Sequence, residues 1–144
     1  MALFGTDGVR GVAGVDLTAD LAFNLSTAAA SVLADLGEFA GHRPTAIVGQ
    51  DSRASGQYLE EAICRGLSSA GIDVYRVGIL PTPAISFLVK DRGADLGVMI
   101  SASHNPASDN GIKFFDKTGS KLADQIEAKI ESVLGQVVES SNGA

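Results

Sequence analysis

The stretch that most constrains this chain is Leu96-Gly97-Val98-Met99-Ile100, five residues with no polar side chain between Asp95 and Ser101. Side chains of a strand alternate between its two faces, so a run with no polar position must have both faces out of water. Five residues are too few for an ordinary helix. The chain therefore needs a layer on each side of this strand, and helices have to supply it.

The flanking segments carry the pattern for such layers. Residues 18–36 place Leu21, Leu25, Ala28, Ala29, Val32 and Leu36 at helical spacing, with Thr18 as candidate N-cap and Gly37 as stop. Residues 45–49 read as a short buried strand. A second helix starts near Ser55, buries Leu59, Ile63, Gly66, Leu67 and Ala70, and ends at Gly71. Residues 72–79 read as a strand. Thr82-Pro83 reads as N-cap and first residue of a third helix that ends by Gly93. Ile112 to Phe115 reads as a strand too close behind Ile100 for a helical crossover, so that pair should be antiparallel. Asp124-x-x-Glu127 has the form of a capping box for a last helix carrying Ile126, Ile130, Val133 and Leu134. The expectation is an α/β fold: a mixed, mainly parallel sheet of about four strands with helices on both faces. It covers residues 1–135, and the polar, small residues 136–144 read as a linker or frayed end.

Charge narrows the function. The 144 residues carry 11 basic and 17 acidic side chains, a net charge of −6. Neither a phosphate backbone nor an acidic lipid surface attracts such a chain, so nucleic acid and membrane are not expected partners. An anionic substrate would need a local cluster of cations. The single cysteine, Cys64, cannot form an internal disulfide, and on its helix it reads as a small apolar filler. The sequence shows neither a signal peptide nor an apolar run of about 20 residues. A cytoplasmic protein is expected. His42, in Gly41-His42-Arg43-Pro44, reads as a solvated turn residue.

The chemistry concentrates in Ser101-Ala102-Ser103-His104-Asn105-Pro106-Ala107-Ser108-Asp109-Asn110-Gly111. This segment leaves the carboxyl end of the most apolar strand, the edge where α/β sheets bind ligands. It has no large apolar side chain, so its own hydrogen bonds must hold it. Plain turn chemistry would explain Asn105-Pro106 and Asn110-Gly111 equally well. A serine hydrolase built on Ser103 and His104 is disfavoured: neighbours in an extended segment point opposite ways, and the G-x-S-x-G elbow is missing.

These residues match a known pattern. Ser101-Ala102-Ser103-His104-Asn105-Pro106, followed by Asp109-Asn110-Gly111-Ile112-Lys113-Phe114-Phe115, resembles the signature of the α-D-phosphohexomutase superfamily. Phe4-Gly5-Thr6-Asp7-Gly8-Val9-Arg10-Gly11 is similar to the opening of its phosphoglucosamine mutase branch. Gly49-Gln50-Asp51-Ser52-Arg53-Ala54-Ser55-Gly56 resembles a third block of the superfamily.

The resemblance implies a four-domain enzyme of which this chain covers the first domain. Ser103 is then the residue that carries the phosphoryl group, and its phosphate oxygen also binds Mg²⁺. The group passes to the sugar, giving a bisphosphate that reorients and returns its other phosphate to the serine. The reaction implied for this branch converts glucosamine 6-phosphate to glucosamine 1-phosphate, on the route to UDP-N-acetylglucosamine and peptidoglycan. A phosphomannomutase or phosphoglucomutase of the same superfamily is the alternative within the class; a non-catalytic phosphate-binding module is the alternative outside it. The implied partner is a phosphorylated hexosamine, with a homodimer as a further possibility in the family.

Phosphoryl transfer is mostly positioning and charge stabilisation. A phosphoserine brings about −1.5 to −2 charge at pH 7, and Lys113, Arg10 and the metal are its natural counter-charges. The family role implied for Lys113 is general acid/base. A dianion beside it favours its charged form, so Lys113 is expected as clamp and proton donor until the phosphate leaves. Arg10, between Gly8 and Gly11, is placed in a loop and can grip phosphate through two nitrogens, although Asp7 could simply pair with it. His104 either assists the phosphate or braces the loop, and Asn105 joins the phosphate-binding set. Asp51 and Arg53, between a strand and a helix start, suit structural capping at least as well as catalysis. The family's Asp-rich metal loop, its sugar-binding block and its C-terminal phosphate loop do not occur among the 144 residues. Isomerisation by this chain alone is not expected.

Overall fold

The structure, a computed structural model, describes residues 3–5, 8–102 and 105–142, with side chains through residue 136. Nine elements follow one another: β1 (Val9–Val12), α1 (Ala19–Asp35), β2 (Thr45–Gln50), α2 (Gly56–Ser69), β3 (Asp73–Ile79), α3 (Thr82–Arg92), β4 (Leu96–Ile100), β5 (Asp109–Phe115) and α4 (Asp124–Asn142).

The strands form one mixed sheet in the order β1-β5-β4-β2-β3. β4 and β3 flank β2 in parallel, while β5 runs antiparallel to β4 and to β1. The α/β class and the antiparallel β4–β5 pair agree with the sequence reading. The sheet has five strands where about four were expected. The extra one is β1, which places Arg10 on a strand and not in a loop.

Every residue of β4 is buried, as its unbroken apolar run demands. The larger core lies under α1, α2 and α4 and holds Val48, Val98, Ile100, Ile112 and Phe114 from the sheet. α3 covers the other face with Ile85 and Val89, packed on Ile47, Met99 and Phe115. Its contacts fall chiefly on β2 and β4. The part of that face formed by β5 and β1 is therefore less covered.

Local signals worked unevenly at helix ends. Thr18 is the N-cap of α1, its Oγ1 accepting from the Leu21 N–H at 3.1 Å. α3 starts one residue earlier than expected: Pro81 takes the N-cap position and Thr82 opens the helix, which stops at Gly93 in the left-handed region. Asp124 and Glu127 do not form a capping box. Asp124 already lies inside α4, and both carboxylates bracket Lys121, whose Nζ sits 3.3 and 2.8 Å from them. The α4 backbone stays helical to Asn142, within the stretch whose composition suggested a linker or frayed end.

Candidate active site

The carboxyl ends of β2 and β4 lie side by side, because the two strands are parallel and in register from Ala46↔Leu96 to Gln50↔Ile100. Asp51 and Ser101 are the first residues beyond those ends. The Asp51 N–H donates to the Ile100 carbonyl at 3.0 Å, and the Ser101 N–H donates to the Gly111 carbonyl at 2.9 Å. The segment leaving β4 is thus bound on both sides before it departs.

The returning part of the loop is also shaped by its own backbone. The Asn105 N–H donates to the Ala102 carbonyl at 3.0 Å. The Asp109 N–H donates to the Pro106 carbonyl at 2.9 Å. Asn110 is fully buried. Its Nδ2 donates to Ser55 Oγ at 2.8 Å and its Oδ1 accepts from the Gly111 N–H at 2.9 Å. Ser103 and His104, the two central residues of the sequence reading, lie outside the described residues, as do Thr6 and Asp7.

Arg10 and Lys113 come to the same side of the sheet. Arg10 pairs with Gly111 across β1 and β5, and Val9 pairs with Ile112. Val9, Ile112 and Phe114 fill the larger core, so the alternation sends Arg10 and Lys113 to the opposite face. They are diagonal neighbours, a relation that spaces residues by roughly 7–8 Å. This is the face that α3 covers mainly over β2 and β4, so both cations stand beside its more open part. Arg10 Nη1 donates to Asn105 Oδ1 at 3.3 Å. Lys113 Nζ lies 5.5 Å from the Phe115 ring centroid, within cation–π range. Asn105 also donates through Nδ2 to Asp109 Oδ2 at 3.3 Å, so its amide bridges Arg10 and the start of β5.

Two glycines make this convergence feasible. Gly8 has φ +87°, and a Cβ there would overlap the Ile112 carbonyl oxygen. A Cβ on Gly111 would lie 2.6 Å from the Ser101 carbonyl oxygen and 3.2 Å from that of Val9. β1, β5 and the loop approach more closely than a side chain permits.

Sequence reasoning understated Asp51 and Arg53. Neither caps α2, whose N-cap is Ser55. Asp51 Oδ1 accepts from the Arg53 N–H at 3.1 Å, and Oδ2 accepts from Arg53 Nε at 3.0 Å and from Ser101 Oγ at 2.8 Å. Arg53 Nη1 reaches the carbonyl oxygens of Pro106 at 2.7 Å, Asn105 at 3.0 Å and Asp109 at 3.3 Å. The available signal was positional: Asp51 follows β2 as Ser101 follows β4.

Among the described residues, no group of three or more His, Cys, Asp and Glu could hold a metal ion. Asp51 is committed to Arg53 and Ser101, and Asp109 to Asn105. No helix of the described residues is long and apolar enough to cross a membrane. A cleft of about 530 Å³ opens at the other end of the strands, where Thr45 and Ala94 precede β2 and β4, and is separate from this site.

The chain and its fold have relatives. Residues 1–140 match the family model described as phosphoglucomutase/phosphomannomutase, alpha/beta/alpha domain I. A phosphoglucosamine mutase of Streptomyces coelicolor is 67% identical over 131 residues, covering 91% of this chain and 29% of the relative. One from Thermobifida fusca is 59% identical over 141 residues, covering 98% of this chain and 31% of the relative. The structure of a phosphoglucomutase/phosphomannomutase family protein from Burkholderia thailandensis superposes with a TM-score of 0.79 at 29% identity, covering 95% of this chain and 31% of that one. The chain thus spans about 30% of the length of the curated relatives it matches. It belongs to the phosphoglucomutase/phosphomannomutase family and constitutes that family's α/β/α domain I.

Proposed function

We propose that this domain carries the phosphoryl group of a phosphoglucosamine mutase, with Ser103 as the residue that receives and returns it. The observation that carries the reading is the placement of Arg10 and Lys113. They stand on one sheet face, on adjacent strands, beside a loop whose ends are pinned by Asp51, Arg53 and Gly111. A dianion transferred between a serine and a sugar needs fixed positive charge and rigid donors, and little else from the protein. The name phosphoglucosamine mutase, carried by relatives at 59–67% identity, supports a phosphorylated glucosamine as the sugar. In our reading glucosamine 6-phosphate is converted to glucosamine 1-phosphate through a bisphosphate.

In this reading the Ser103 phosphoryl oxygens face the Arg10 guanidinium and the Lys113 ammonium. Arg10 is held in place by Asn105 and neutralises the anion. As the bisphosphate forms, the bond from phosphorus to Ser103 Oγ breaks and Lys113 donates its proton to that oxygen, while the attacking sugar hydroxyl gives its proton to a phosphoryl oxygen. In the return step neutral Lys113 takes the Ser103 hydroxyl proton as Oγ attacks the other phosphate, and the released sugar oxygen takes a proton back. His104 assists at the phosphate. Mg²⁺ would add charge neutralisation at that phosphate. The carboxylates described here do not form its cage, so its remaining ligands must come from elsewhere in the enzyme, and no step above depends on it. The reaction's place is the cytoplasm, in supply of an activated amino sugar for peptidoglycan.

Two measurements test this. Mass spectrometry of the longer enzyme that contains this domain should find a phosphate on Ser103. A coupled assay for glucosamine 1-phosphate should show turnover that Ser103→Ala abolishes and Lys113→Arg lowers at least tenfold. An unmodified Ser103 in an active enzyme would overturn the assignment.

A further inference from the structure

We infer that Asp51 and Arg53 are positioning residues: together they form a buckle that fixes both flanks of the Ser103–His104 pair and so sets the direction of phosphoryl transfer. The inference rests on the reading of Ser103 given above.

The loop buries no apolar side chain larger than the methyl of Ala102 among the described residues, so polar bonds must hold it. Arg53 supplies them from another part of the chain. Its Nη1 bonds reach carbonyls 52, 53 and 56 positions away. One Nη carries two protons, so three acceptors share them. The 2.7 and 3.0 Å bonds to Pro106 and Asn105 dominate, and the 3.3 Å contact to Asp109 is the weakest. The guanidinium is held by Asp51, since its Nε donates to the same Oδ2 that accepts the Ser101 hydroxyl. One carboxylate oxygen therefore ties the outgoing flank at 101 to the arginine that ties the returning flank at 105, 106 and 109. The Arg53 side chain is only 11% exposed, so these charge-assisted bonds are little weakened by water.

This arrangement differs from a substrate contact. Arg53 directs its Nε and Nη1 onto protein oxygens, whereas the two cations that flank the open face are Arg10 and Lys113. It also differs from a cap, because none of these bonds ends on an N–H of α2. A fork geometry is required: a lysine at position 53 keeps the charge but offers a single nitrogen and cannot grip Asp51 and two carbonyls at once. Misplacing a reacting group by about 1 Å can cost on the order of 100-fold in rate.

The test uses Arg53→Lys and Asp51→Asn in two settings. In the longer enzyme, steady-state kinetics should show kcat lowered about 10- to 100-fold with KM changed less than about threefold. In the chain described here, hydrogen exchange at the amides of Asn105 and Asp109 should speed up at least tenfold, while exchange in α1 stays as in the parent. The Asp51→Ala/Arg53→Ala double variant should lose little more than either single change, because the two side chains act as a unit. A raised KM with unchanged kcat would overturn the inference and make Arg53 a substrate contact. Unchanged exchange at Asn105 and Asp109 would overturn it outright, whatever the kinetics. An inactive parent enzyme with the exchange effect intact would instead count against the proposed reaction and leave the buckle standing.

Discussion

The approach of β1, β5 and Ser101 around Gly111 sets up a quantitative test. Gly111→Ala adds one methyl group 2.6 Å from the Ser101 carbonyl oxygen, with the Val9 carbonyl at 3.2 Å and Arg10 Cγ at 3.0 Å. An ordinary carbon–oxygen contact needs roughly 3.3 Å or more, so the nearest neighbour must retreat by about 0.7 Å. Two of the three neighbours are backbone. The Ser101 backbone is anchored by its own 2.9 Å bond to the Gly111 carbonyl. Overpacking of this kind costs about 1–3 kcal/mol. For a chain of 144 residues, 1 kcal/mol shifts the melting temperature by about 4 °C, so a fall of about 4–12 °C is expected. Gly135→Ala provides the internal control. Its added methyl meets nothing within 4 Å on the exposed side of α4. Relief of backbone entropy should raise stability there by about 0.5–1 kcal/mol. Thermal denaturation followed by far-ultraviolet circular dichroism reads both. If Gly111→Ala melts at or above the parent temperature, the strands can part without penalty and the close-approach reasoning is wrong.

Three further outcomes are expected. Burial pushes the Cys64 thiol up to about 11, so it should stay unalkylated by iodoacetamide at pH 7.5 in the folded chain and react fully in denaturant, as read by intact mass. The His42 ring, bonded to Asp95 at 2.6 Å, has its pKa raised first by that hydrogen bond; its stabilisation is fully present below the ordinary histidine value of about 6.5 and is lost as pH rises through the raised folded value, so the melting difference between the parent and His42→Asn should shrink from pH 6 to pH 8.5. Arg76→Met should destabilise by about 1–3 kcal/mol, because it leaves the buried Glu60 carboxylate to the Gln50 amide, and the added change Glu60→Gln should recover part of that loss in urea unfolding.

The sequence carried the fold where local pattern decides it. β4 is bounded as its apolar run implied, and α1 begins at the Thr18 cap because the cap bond is made within three residues. β1 was not legible: Val9-Arg10-Gly11-Val12 is too short and too mixed to show a period, and it is a strand only because β5 lies alongside. The same division runs through the site. Alternation along β5 was enough to put Lys113 opposite Ile112 and Phe114, since that depends on neighbours in the chain. The carbonyl partners of Arg53 lie more than 50 positions away, and nothing near residue 53 announces them. His42 likewise looked like a bare turn residue until Asp95, 53 positions on, came against it.

β1 occupies the rim of the sheet, where its single neighbouring strand is β5, and Arg10 meets Asn105 across 95 positions of chain. Such a pairing gains nothing until a long loop has closed. The other four strands and their helices can assemble while β1 is still unattached, so a well-packed body and a finished site are separate achievements. The positive charge of Arg10 then arrives as a last stitch, and a fault confined to the opening dozen residues would leave a sound-looking domain that lacks it.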